Sequence, residues 1–233
     1  MRNYLQKLYK KAEAANYRNI FSLLEKNNGA KVLDLGCDDG AISMKIAETI
    51  GTADIDGVEI VEEKAKTAEK NGVVIKSFDL NGRFDFADDS FDCIVANQVI
   101  EHLYNSDSFL SEIYRVLKPD GYAIISTENA SSWCNIFASI MGWQIFSLTN
   151  FSSKKRGIGN PLALLKNIES LNCFWNHVRI YNFKGLKDYL QTFGFKIETI
   201  RGAGYFPLPG FLGNTDKIHS HFITFKIRKY EKI

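Results

Sequence analysis

The stretch from Lys31 to Gly40, KVLDLGCDDG, constrains the fold of this chain more than any other. Lys31–Leu35 is a short apolar run with one acid, Asp34, near its end. Gly36 and Gly40 then bracket Cys37-Asp38-Asp39, and Ile42, Ile46 and Ile50 recur every four residues behind them. A buried strand, a tight turn and a helix start account for this pattern. Glycine at such a turn admits positive φ and close approach of a ligand. The helix start behind it presents unpaired N–H groups.

The segments that follow repeat the alternation. Ala53–Ile60 reads as a second strand ending in Glu59, one strand–helix–strand interval after Asp34. A carboxylate there can accept from both hydroxyls of a ribose, because its two oxygens match a vicinal diol. Val73–Phe78 is a third strand with Asp79 just past it, and Phe91–Ala96 a fourth with Asn97 at its end. Phe109, Leu110, Ile113, Val116 and Leu117 form one helical face behind a Ser106-Asp107 cap. Pro119-Asp120-Gly121 is a turn, and Tyr122–Thr127 a fifth strand. Phe183, Leu186, Leu190 and Phe193 mark another helix, stopped by Gly194 before a sixth strand, Phe195–Ile200. His221–Arg228 alternates as a last strand, and a short connection makes it antiparallel to its neighbour. Arg2–Asn27 reads as one or two helices ended by Asn27-Asn28-Gly29.

The acid before Gly36 and Gly40 resembles the first motif of the class I S-adenosylmethionine-dependent methyltransferases, with Asp38 standing where their middle glycine falls. Asp92 early in the fourth strand, Glu101-His102-Leu103 after it, and the run IYRVLKPDGYAIIST from Ile113 to Thr127 strengthen the likeness. It is tight from Val32 to Thr127 and loose elsewhere. It implies an α/β fold: a Rossmann-like, mostly parallel seven-stranded sheet with its last strand antiparallel and helices on both faces. It implies S-adenosylmethionine as cofactor, held by Asp34, Gly36, Cys37, Asp38, Gly40, Glu59, Ile60, Asp79, Leu80 and Asn97. In this family the acid at position 79 reaches the adenine amino group and the next residue, Leu80, lines the ring. Asn97 falls where the methionine part lies, and Asp38 would accept from its α-amino group. The N-terminal segment packs beside the nucleotide or over the substrate.

Composition excludes several classes. The chain has 233 residues, 45% of them hydrophobic, which suits one domain over residues 1–233. A net charge of +2 gives no bulk attraction to nucleic acid or membrane. Cys37, Cys93, Cys134 and Cys173 lack metal-ligand or disulfide spacing, so no metal is expected and a reducing cytoplasm is. No run is long and apolar enough for a membrane span. After the fourth strand, Asn97-Gln98-Val99 lacks the Asn/Asp-Pro-Pro-aromatic signature of base-amine methylation, and no Pro-Cys is present. A small-molecule acceptor is therefore favoured over nucleic acid.

Residues 129–179 depart from the alternation and are rich in large apolar side chains, Trp133, Phe137, Trp143, Phe146, Phe151, Phe174 and Trp175 among them. They read as an inserted cap of short helices and loop over the strand ends, covering substrate. Lys154-Lys155-Arg156 is a candidate contact for a phosphate on the acceptor. Methyl transfer needs a base only for a weak nucleophile such as a neutral hydroxyl. His177 is the candidate base, His102 a structural contact, and His219 and His221 are expected to be remote. Tyr181 and Tyr205 could orient an acceptor. The expected function is methylation of a small molecule, at oxygen. Two alternatives stay open: a non-catalytic protein that binds S-adenosylmethionine, its aromatic insertion an interface, and a nicotinamide-dependent enzyme.

Overall fold

The structure, a computed structural model, describes residues 2–164 and 176–229. Cys173, Phe174, Trp175 and Lys232 lie outside the described residues. Helix α1 spans Arg2–Leu23; then β1 (Val32–Leu35), α2 (Ala41–Ile50), β2 (Ile55–Val58), α3 (Glu62–Lys70), β3 (Val74–Lys76) and β4 (Phe91–Asn97) alternate. The chain continues through α4 (Ser106–Val116), β5 (Leu117–Glu128), α5 (Trp133–Ile140), α6 (Phe183–Thr192), β6 (Phe195–Ala203), α7 (Leu212–Thr215) and β7 (Phe222–Lys229).

The seven strands form one sheet in the order β3-β2-β1-β4-β5-β7-β6. Six point one way; β7 runs antiparallel between β5 and β6. The all-parallel dinucleotide-binding sheet has no such strand, so the topology separates this chain from the nicotinamide alternative.

Side-chain alternation along the strands builds a core on each face. Leu33, Leu35, Ile94, Ala96, Ala123 and Ile125 pack with Phe109, Leu110 and Ile113 of α4 and Leu186 and Leu190 of α6. Val32, Val95, Tyr122 and Ile124 pack with Ile20 and Leu23 of α1 and Ile46 and Ile50 of α2. Each large apolar side chain so buried stabilises the fold by about 1.5–3 kcal/mol.

Three elements differ from the sequence reading. The N-terminal segment, one of the two expected forms, is a single helix that ends at Leu23, before the expected stop at Asn27; its buried stripe is Ala12, Asn16, Asn19, Ile20 and Leu23. The Pro119-Asp120-Gly121 turn lies within β5: the pairing with β4 shifts between Phe91↔Leu117 and Cys93↔Tyr122, so these residues bulge out of the ladder. Helix α4 is capped by Asn105, whose side chain accepts from Ser108 N at 3.1 Å, one residue before the expected cap.

Candidate functional site

The glycine turn is pinned to the next strand, since Gly36 N and Cys37 N both donate to Val58 O, at 2.9 and 3.1 Å. Gly36 has φ 74, Asp38 φ 50 and Gly40 φ 77. Asp is one of the few residues that tolerates the left-handed region, which lets it replace a glycine at position 38. Its carboxylate lies 2.8 Å from Lys64 Nζ on α3, so the expected partner, an α-amino group, competes with a lysine already in place. A Cβ on Gly40 would stand 2.9 Å from Ala68 Cα. Gly40 thus permits close packing of α2 on α3.

Beyond these strand ends opens a cavity of about 1030 Å³. Asp34, Gly36, Cys37, Asp38, Glu59, Ile60, Asp79, Leu80 and Asn97 all line it; Gly40 does not. Glu59 Oε2 accepts from Asp38 N at 3.0 Å and Oε1 from Val61 N at 2.8 Å, so backbone hydrogen bonds fix the carboxylate and leave each oxygen a further lone pair. Asp79 Oδ1 accepts from Asn81 N and Nδ2, at 2.9 and 2.7 Å. Asp34 is buried and accepts from Ser43 Oγ at 2.6 Å. Burial pushes its carboxyl up to about 7; the Ser43 hydrogen bond opposes this and the Glu59 charge adds to it.

Helix α1 forms one wall, with Tyr9, Glu13, Tyr17 and Ile20 facing the cavity. It is held by Asn16, which sequence reasoning passed over. Asn16 Nδ2 donates to Asn97 Oδ1, while Asn16 Oδ1 accepts from Ser126 Oγ and Thr224 Oγ1, each at 2.9 Å. Gln98, also missed, has φ 58 and lines the cavity; its Nε2 is buried and has no hydrogen-bond partner.

The other end of the cavity is lined by His102 and His177 among apolar side chains such as Leu103, Phe146 and Val178. His177 Nδ1 lies 2.6 Å from Ser147 O and His102 Nδ1 3.0 Å from Asn176 O. A carbonyl only accepts, so each ring carries a proton on Nδ1, and in its neutral form keeps the lone pair on Nε2. The two rings meet edge to face, centroids 4.7 Å apart. Glu101 is fully buried; its Oε2 accepts from Thr127 Oγ1 at 2.8 Å, and its Oε1 has no partner. Burial pushes its carboxyl up to about 7, against the pull of His177. Burial, aided by His177, holds the His102 imidazole down to about 4. Burial would raise Glu128, but His221 and His177 outweigh it and hold that carboxyl below the usual range.

Ligand atoms of Glu101, His102 and His177 lie within 4.8 Å of one another, a set that could take a divalent cation. Glu101 and His102 are adjacent, but His177 lies far along the chain, so spacing did not reveal it. Of Lys154-Lys155-Arg156, only Arg156 lines the cavity. His221, expected to be remote, also lines it, because β7 returns beside β5. Tyr181 and Tyr205 do not; the Tyr205 hydroxyl bonds Asp216.

The family of methyltransferase domains matches residues 4–200. The chain belongs to the methyltransferase domain family. It is 25% identical over 197 residues to the mitochondrial ubiquinone biosynthesis O-methyltransferase of Bos taurus, covering 79% of this chain and 46% of that protein. It is 30% identical over 136 residues to the ubiquinone biosynthesis O-methyltransferase of Rickettsia prowazekii, covering 55% and 51%. This methyltransferase domain thus spans about half the length of those curated relatives. In fold it is similar to an S-adenosylmethionine-dependent methyltransferase from Thermotoga maritima, at TM-score 0.65 and 18% identity, covering 95% and 91% of the two chains. The family and fold expected from the glycine turn and its neighbours are therefore met. Among the described residues, no helix is long and apolar enough to cross a membrane.

The cavity of this methyltransferase domain fits S-adenosylmethionine. Gln98 Nε2 is an orphaned buried donor suited to a carboxylate, and Glu59 keeps acceptor capacity for a diol.

Proposed function

We propose that this domain transfers a methyl group from S-adenosylmethionine to a hydroxyl oxygen of a small, largely apolar acceptor. One observation carries the reading: a single cavity joins the Glu59 and Asp79 end, past Asn97, to the His102 and His177 end. Bound there, the cofactor would supply an activated methyl group on a sulfonium. Glu59 would hold the ribose, Asp79 and Leu80 the adenine, Gln98 the carboxylate, and Asn97 the region of the reacting carbon. Asp34 would stiffen the turn through Ser43.

His177 would take the acceptor's proton on Nε2, its ring oriented by the bond from Nδ1 to Ser147 O. Positioning can lower the barrier by roughly 7–11 kcal/mol. A general base adds on the order of 10²–10⁴ in rate. We read the described part of residues 129–179, that is 129–164 and 176–179, as the acceptor-facing cap of a single domain, supported by Phe146, Thr149, Arg156 and His177 on the cavity wall. The names of the curated relatives favour oxygen as the target. The three described cysteines are unpaired, which suits a reducing compartment such as the cytoplasm. No observation favours the non-catalytic alternative.

The test is incubation with S-adenosylmethionine and a panel of hydroxylated apolar compounds. Equal amounts of S-adenosylhomocysteine and an O-methylated product are expected. Tight S-adenosylhomocysteine binding with no turnover on any extract or compound would turn the assignment to the non-catalytic alternative.

A further inference from the structure

Cys134, His221 and Glu128 stand side by side on the cavity wall, and the reading above gives them no task. Cys134 is the second residue of α5; its Sγ lies 3.5 Å from His221 Nδ1 and 3.3 Å from Ser132 Oγ. His221 is 4% exposed. Its Nε2 has no hydrogen-bond partner and lies 3.9 Å from Oε1 of Glu128, itself buried. The rings of Tyr9, Phe206 and Phe222 surround the imidazole at centroid distances of 5.6, 5.1 and 4.6 Å.

A nucleophile, a base and a nearby carboxylate are thus set in a row, each placed by a different element: α5, the entry to β7 and the end of β5. Burial pulls the His221 imidazole down, but the Cys134 sulfur and the Glu128 carboxylate outweigh it and raise it. The first turn of α5 adds unpaired N–H groups and the positive end of a helix dipole beside the sulfur. Cys37 and Cys93 differ. Both are buried, and burial pushes their thiols up, that of Cys93 to about 12. Cys134 is only partly buried and faces the cavity.

We propose that Cys134 is a covalent capture site for α,β-unsaturated carbonyl compounds that enter the half of the cavity away from Glu59. His221 Nδ1 takes the thiol proton, and the sulfur forms a bond to the β-carbon of the ligand. The π pair of the carbon–carbon double bond shifts to the α-carbon, which takes the proton back from His221. Nothing is oxidised or reduced, and no group leaves. The adduct fills the cavity beside Tyr9 and Phe206 and leaves the Glu59 and Asp79 end open. The proposal does not depend on turnover.

The probe is N-ethylmaleimide at neutral pH on the intact chain, with the labelled cysteines mapped by mass spectrometry. Cys134 is expected to react at least about 10-fold faster than Cys37 or Cys93. His221→Gln should slow its labelling about 10-fold or more, and Glu128→Gln by a smaller factor. The second variant decides the matter if the first does not fold. Labelled protein should keep its thermal stabilisation by S-adenosylhomocysteine. Labelling of Cys134 at the same rate in a folded variant as in the parent, or slower than at Cys37 or Cys93, overturns the proposal. So does loss of the S-adenosylhomocysteine response on labelling.

Discussion

Asn16 Nδ2 donates to Asn97 Oδ1 at 2.9 Å, tying the first helix to the end of β4 across 81 residues of sequence. The same Asn16 side chain gathers the hydroxyls of Ser126 and Thr224, so α1, β4, β5 and β7 share one buried polar junction. A helix joined only by apolar contacts could slide over the cavity; these hydrogen bonds set its register.

Asn16→Ala leaves the Ser126 hydroxyl proton and the Asn97 amide oxygen without their partner, while Thr224 Oγ1 keeps its bond to Ser126 Oγ at 3.1 Å. The expected cost is about 2–4 kcal/mol at 1–3 per orphaned group. That lowers Tm by roughly 5–15 °C for a chain of this size, and S-adenosylhomocysteine should bind more weakly. Thermal melts with and without that ligand check both; a Tm within about 2 °C of the parent would show that water replaces the junction.

Gly40→Ala separates packing from ligand contact. A methyl group there meets Ala68 at 2.9 Å from a backbone at φ 77. Strain and overpacking together are expected to cost about 2–4 kcal/mol. Calorimetry on the folded protein should show S-adenosylhomocysteine affinity within about threefold of the parent. Unchanged stability with lost affinity would instead make Gly40 a ligand contact.

The stability of the free protein should fall as pH rises through a window set by Asp34. Its carboxyl ionises near the ordinary 3.8 when unfolded but near 7 when folded. Between those values the folded state holds a proton that the unfolded state has released, so raising the pH favours unfolding; above the window the loss is complete. Asp34→Asn, which cannot ionise, should therefore gain Tm relative to the parent from pH 4 to pH 7 and then hold that gain. Melts across this range giving a constant difference would place the Asp34 carboxyl at its ordinary value.

His177→Gln should lower kcat by about 10²–10⁴ and leave S-adenosylhomocysteine affinity within about threefold. Rescue of the rate by acceptors with more acidic hydroxyls would follow, because they arrive ionised. A variant retaining more than about half the parent rate would remove His177 as the base.

Much of the Glu59 and Asp79 end of the cavity could be read along the chain. Gly36, Glu59, Asp79 and Asn97 each sit at a strand end, and the strand–helix–strand interval brings strand ends together without further information. The His102 and His177 end could not. Glu101, His102 and His177 meet because the chain from 176 to 179 crosses beside β4's exit, where Val178 N donates to Glu101 O at 2.9 Å. His221 looked remote because its distance in sequence from Glu128 hides the antiparallel pairing of Glu128 with Phe222. Asn16 was passed over because a polar residue in a helical stripe carries no sign of its partners.

The local pattern by itself determined the alternating architecture, the glycine turn and the placing of Glu59, Asp79 and Asn97 at or just past strand ends, since period, turn chemistry and strand ends are properties of adjacent residues. Tertiary structure alone decided which polar side chains share the far half of the cavity. Those contacts span β4, β5, α5 and β7, and their geometry depends on sheet order and on how the loops fold back, neither of which a short stretch of sequence encodes.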